Sequence, residues 1–150
     1  MATQHSFRAR LVWSKGGQGS NSGNHRVEFG GRPALELSAA PHYRGDPSKL
    51  NPEELFLSSL ASCQMLTYLS LAGRAGIDVL AYEDGAEATL AIADRKMRIT
   101  EVVLHPRITI GATGDEAKAR SLVDSAHDGC FIANSVACPV RTEAQIVRAA

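Results

Sequence analysis

Apolar and polar residues alternate through part of Phe7-Arg8-Ala9-Arg10-Leu11-Val12-Trp13, which predicts a first strand. Two shorter runs of the same kind follow at 26–29 and 34–37. Gly30 and Gly31 join them, and a glycine pair supplies the positive φ that a tight hairpin turn needs. Between the first and second strands, Gly16-Gly17-Gln18-Gly19-Ser20-Asn21-Ser22-Gly23 reads as a flexible hairpin connection. A phosphate-binding loop would need a Gly-Lys-Ser/Thr continuation and a helix to receive the anion, and neither follows.

At Asn51 the period changes. Asn51 can cap a helix, Pro52 fits its first position, and Glu53 and Glu54 lie against the positive end of the helix dipole. The pattern predicts a helix from there to about Arg74, stopping near Gly76. From Leu55 to Leu71 it is apolar around most of its circumference, so it must be covered on nearly every side. A single chain of this size can hardly provide that cover. Its four Ser, one Gln and one Thr suit a buried helix better than a membrane span.

Strands are predicted at 87–93 and 97–110, with Asp94-Arg95-Lys96 as the turn between them. Residues 115–129 form a second, amphipathic helix pattern with Leu122, Val123 and Ala126 on one face and Gly129 as the stop. A final strand is predicted at 144–147. Strands, helix, strands, helix, strand is an α+β order. The length predicts one domain over 1–150.

Sixteen basic residues balance sixteen acidic ones, which gives no electrostatic reason to expect nucleic acid or an anionic membrane as partner. The first residues carry no apolar run of the signal-peptide kind, and three cysteines do not make a disulfide framework. Together these predict a reducing, cytoplasmic setting. There a conspicuous cysteine is a buried filler, a metal ligand or a reactive group.

Cys63, deep in the apolar helix, reads on residue type alone as a small buried hydrophobe. Cys130 follows Gly129 at a helix end, where side chains are more readily exposed and a reactive role is more plausible. Cys138 precedes Pro139 and carries no signal of its own. No metal site is predicted: there is no Cys-x-x-Cys, and His127 with Cys130 makes only two ligands. A Cys–His hydrolase can be drawn from Cys63 and His127, as in any sequence holding both residues.

Asn51-Pro52-Glu53-Glu54-Leu55-Phe56, running through Ser58-Ser59-Leu60-Ala61-Ser62 to Cys63, resembles the Asn-Pro-Glu-x-Leu signature of the OsmC/Ohr family, with a Cys ten residues after the Glu. Ala126-His127-Asp128-Gly129-Cys130, then Asn134-Ser135, resembles its second motif, an Ala-His-x-x-Cys segment near the C-terminus. The resemblance implies an OsmC-like fold, antiparallel sheets wrapped around long central helices in an intertwined homodimer. It also implies a thiol-dependent peroxidase. Cys63 would attack an organic hydroperoxide and become a sulfenic acid. Cys130 would resolve it as a disulfide, reduced in turn by an external dithiol, in the Ohr branch a lipoyl-bearing protein. In the family an Arg stabilises the thiolate and a Glu orients that Arg. Glu53 matches the Glu.

For the Arg, the Gly-Gly-Arg loop of Ohr is Gly16-Gly17-Gln18 here, so Arg44, in the loop before Asn51, is the first candidate and Arg26 the second. Phe131 stands where the motif usually has Pro, and the Cys-Pro pair has moved to Cys138-Pro139, which leaves Cys138 as an alternative resolving thiol. Glu53 and Cys63 are ten residues apart, roughly 15 Å along a helix, so either the Arg bridges a long reach or Glu53 serves the site of a partner chain, and the second is the expectation. No cofactor is implied. The alternative expectation is a non-enzymatic dimer of the same fold that binds a hydrophobic ligand.

Overall fold

The computed structural model describes residues 3–15 and 23–150, so the predicted hairpin connection at 16–22 lies outside the described residues. The chain forms two compact units, Met1–Leu55 and Phe56–Ala150.

The first unit is built on an antiparallel sheet of β1 (Arg10–Val12), β2 (His25–Glu28) and β3 (Leu35–Leu37), in that order. The first strand is shorter than its alternating pattern predicted. Gly30 and Gly31 make the turn with φ of 56° and 73°. Val27 and Leu37 are buried. After a 3-10 turn at Pro41–Tyr43, Arg44 adopts a left-handed conformation, φ 62°, and donates its N–H to Pro41 O at 2.9 Å. Gly45 follows against the Ala39 carbonyl so closely that a Cβ would collide with it. Asp46 N–H then donates to Ser38 Oγ at 3.0 Å.

The long helix α1 (Pro52–Arg74) begins as its sequence predicts. Asn51 Oδ1 accepts the Glu54 N–H at 2.9 Å and Glu54 Oε2 accepts the Asn51 N–H at 3.1 Å, a reciprocal capping box. It ends where Gly76 takes φ 73° and Ile77 N–H returns to Ala72 O at 2.9 Å.

In the second unit, β4 (Val79–Asp84), β7 (Pro106–Ile110) and β9 (Gln145–Arg148) form one sheet, and β5 (Glu87–Ala93), β6 (Lys96–Leu104) and β8 (Val140–Thr142) another. The predicted strand 97–110 is two strands. Pro106 has no N–H for a ladder, and the His105 N–H is taken by Asp84 Oδ1 at 2.8 Å as the chain passes from one sheet to the other. The expectation of antiparallel sheets also needs correcting, because β8 pairs with β6 and β9 with β7 in parallel. Parallel pairing requires a crossover, and helix α2 (Glu116–Asp128) supplies it. Asp115 caps α2 by accepting the Lys118 N–H at 3.0 Å.

Only one stripe of α1 is buried: Leu60, Gln64, Tyr68 and Ala72, four residues apart. Leu66 is 60% exposed and Leu69 37%. Tyr68 and Ala72 pack with Ile77, Ile108, Ile110, Val123 and Ala126, and Leu60 with Val102 and Leu104. The two polar residues of the stripe fix the helices against each other. Gln64 Nε2 donates to Val123 O and Tyr68 Oη to Ala119 O, each at 3.1 Å. A step of four residues down α1 matches a step of four up α2, so the helices run antiparallel in one register. By length and composition α1 is apolar enough to cross a membrane. Its buried polar groups take carbonyl partners that hydrocarbon does not offer.

Candidate thiol site

The register of α1 on α2 carries Cys63, one residue before Gln64, to Cys130, two residues after the end of α2. There each thiol acts on the other's pKa, and both thiols are free. Their exposure is the reverse of the sequence expectation. Cys130, at the helix end, is 1% exposed, whereas Cys63 is only half-buried and lines a cleft of about 690 Å³. Gly129, at the end of α2, lies beside Thr67 of α1 here. Ser59, Ser62, Leu66, Thr67 and Phe131 also line the cleft, with Arg74 three turns further along α1.

The two thiols differ electrostatically. Burial, the largest influence on Cys63, pushes its pKa up. The Ile132 N–H, the Cys130 side chain, the Phe131 N–H and the Thr67 hydroxyl together outweigh burial and hold it below the ordinary thiol value. For Cys130 burial is again the largest influence. The Ala133 N–H opposes it, but the hydrogen bond and charge of Cys63 add to it, and the Cys130 thiol is raised. Tyr82, whose ring is 5.9 Å from that of Tyr68, is raised by burial first and then by Asp84, Tyr68 and Cys130. Of the pair, Cys63 is the better thiolate and Cys130 the better proton holder. The arrangement can form a nucleophilic sulfur at a cleft wall with a second thiol directly behind it.

Cys138 is elsewhere, packed on the Leu60 cluster and lining a separate cleft with Phe56, Ile99 and Pro139. His127 Nδ1 is buried with no partner among the described residues, and it makes no dyad with Cys63 through that atom. Arg44 and Arg26 both belong to the first unit. Arg44 is exposed at the left-handed turn, and Arg26 Nε lies 3.6 Å from Glu28 Oε1. Glu53 stands in the first turn of α1. Glu54 serves the capping box, while Glu53 Oε2 is buried without a partner among the described residues. Among the described residues, no group of three or more His, Cys, Asp or Glu converges to hold a metal ion. Sequence reasoning missed the Phe131 and Ile132 amides, because main-chain donors leave no mark in residue type. Thr67 was findable as the hydroxyl one helical turn after Cys63.

A family model described as OsmC-like protein matches residues 45–145. The chain belongs to the OsmC family. Among solved structures, an OsmC-like protein of unknown function from Vibrio cholerae is 31% identical, covering 95% of this chain and 100% of its own, with a TM-score of 0.86. This OsmC-family chain also shares its fold with an organic hydroperoxide resistance protein from Legionella pneumophila, 22% identical over 97% of this chain and 99% of that one, TM-score 0.73. A protein of the same description from Elizabethkingia anophelis is 19% identical over 99% and 100%, TM-score 0.75. No curated protein matches the chain.

Proposed function

We propose that this OsmC-family protein reduces organic hydroperoxides with Cys63 as the attacking thiolate and Cys130 as the resolving thiol. The contact between a half-exposed, lowered Cys63 and a buried, raised Cys130 carries the reading. The Cys63 sulfur attacks the distal peroxide oxygen and the O–O bond breaks. Sulfur becomes a sulfenic acid, and the alkoxide leaves and takes up a proton as the alcohol. The Cys130 sulfur then displaces hydroxide from the sulfenic acid, and water and a Cys63–Cys130 disulfide result. An external dithiol returns two electrons and two protons, and a lipoyl-bearing protein in a reducing cytoplasm fits that role.

The leaving alkoxide and the thiolate both call for a cation, and Arg44 is the candidate. It holds a left-handed backbone that costs a non-glycine residue about 1 kcal/mol, strain of the kind that collects at functional positions. Glu53, with a buried unpaired oxygen, is the candidate to orient it in a site completed by a second copy of the chain. Arg44→Ala is expected to slow peroxide reduction at least tenfold and to raise the Cys63 pKa, read from thiol alkylation against pH. An unchanged Arg44→Ala beside a slowed Arg26→Ala reassigns the role.

The size of the cleft, within the usual range of small-molecule sites, favours a second reading in which a dimer holds a hydrophobic ligand there without turnover. Thiol titration before and after one equivalent of cumene hydroperoxide separates the two. Rapid loss of two thiols per chain is expected for the peroxidase, and unchanged thiols would leave the binder.

A further inference from the structure

The cleft at Cys63 is an elongated groove. Its wall on α1 runs from Ser59 to Arg74 at steps of three and four residues, so one face of the helix lines it for about four turns. Ser125 and Gly129 of α2, with Phe131 and Ile132 after them, form the other side. Cys63 stands towards one end and Arg74 at the other, about 16 Å apart along the axis by the helical rise. Between them Leu66, Leu71, Phe131 and Ile132 are apolar, and Leu66 and Phe131 are 60% and 80% exposed. Among the described residues that line the groove, Arg74 alone is charged.

The helix end does not need Arg74. Ala75 N–H closes on Leu71 O, Gly76 N–H on Gly73 O and Ile77 N–H on Ala72 O, while Lys118 Nζ takes Ala75 O at 2.8 Å. Main-chain donors and Lys118 thus satisfy the last turn of α1, and the Lys118 ammonium already meets the negative end of its dipole. Arg74 itself is exposed and makes no ion pair among the described residues.

We propose that the groove takes an apolar chain with its hydroperoxide at Cys63 and a carboxylate at its far end on Arg74, so that Arg74 determines specificity. A guanidinium fits a carboxylate with two parallel N–H donors. The walls between the two ends favour hydrocarbon, because Leu66 and Phe131 shed water when a chain covers them. A compact neutral hydroperoxide such as cumene hydroperoxide reaches Cys63 and leaves Arg74 unused. The inference rests on the reading that substrate binds in the cleft at Cys63, and it adds the charge at the substrate's other end.

The test sets linoleate hydroperoxide against its methyl ester, which keeps the chain and removes the charge. In the wild-type protein the KM of the acid is expected to lie about fivefold below that of the ester with kcat alike, the size of one exposed ion pair. Arg74→Gln is expected to remove the difference, and Arg74→Lys to restore most of it. Arg74 is exposed, so these substitutions leave the fold intact. A second readout needs no peroxide. Dodecanoate below its micelle concentration is expected to protect Cys63 from iodoacetamide better than methyl dodecanoate does, and Arg74→Gln to abolish that preference. Equal behaviour of acid and ester in the wild type, or an acid preference that survives in Arg74→Gln, would overturn the proposal. Dodecanoate that protects Cys63 through Arg74 in a protein consuming no hydroperoxide refutes the peroxidase and leaves the carboxylate site standing. Cumene hydroperoxide consumed with no acid preference in either readout does the opposite.

Discussion

Cys63→Ser is expected to abolish hydroperoxide consumption, because the serine hydroxyl is not ionised near neutral pH and cannot accept the peroxide oxygen. Cys130→Ser is expected to behave differently. Its Cys63 still meets the cleft and still has the Ile132 and Phe131 amides, so it reacts once, and a sulfenic acid accumulates that dimedone traps. Turnover with a dithiol falls sharply because no internal thiol closes the cycle. Cys138→Ser changes neither step, since Cys138 packs on the Leu60 cluster away from the pair. Peptide mapping of peroxide-treated wild type checks the pairing. A Cys63–Cys138 disulfide would move the resolving role, and the absence of any disulfide would leave a one-cysteine reaction at most.

Leu66→Glu is expected to break the protein into monomers and to lower its melting temperature by many degrees. In the single chain Leu66 is 60% exposed, where a polar substitution costs at most about 0.5 kcal/mol. If α1 lies against its copy in a two-fold dimer, the same substitution buries two unpaired carboxylates, and burying an unpaired charge costs several kcal/mol. The exposed Leu69, Ile92, Met97 and Phe131 support the dimeric reading, as a monomer seldom leaves so much apolar surface bare. Sedimentation at micromolar concentration distinguishes the cases. A wild-type monomer, or a Leu66→Glu protein of unchanged size and melting point, would sink the paired-helix dimer.

The elements legible in the sequence are those whose local chemistry is complete. Asn51, Pro52 and Glu54 specify the start of α1 among themselves, Asp115 and Gly129 bracket α2, and Asp94 and Arg95 turn the β5–β6 hairpin with φ of 51° and 62°. β4 and β8 were missed for two different reasons. Val79–Asp84 leaves Leu80 55% exposed and so never alternates cleanly, and Val140–Thr142 is a three-residue edge whose partner lies far away in sequence. The same division runs through the site. Cys63, Cys130 and Glu53 stand in recognisable motifs, and the two thiols meet. Their relative exposure came out reversed because it depends on how α2 packs against α1, a contact between distant segments. The left-handed backbone at Arg44, next to a glycine that has no room for a Cβ, was likewise invisible until the turn had folded.

The two hydrogen bonds from Gln64 and Tyr68 to the carbonyls of α2 fix where α2 ends, and so they set an effective concentration of one thiol for the other. A Cys63–Cys130 bond would close a loop of 67 residues, which in the chain-entropy account removes about 4 kcal/mol of freedom from the unfolded ensemble. Linkage makes the exchange mutual: whatever the bond adds to the fold, the fold adds to the bond. Loosening α2 from α1 would therefore make the oxidised pair easier to reduce by as much as it destabilises the oxidised fold more than the reduced one.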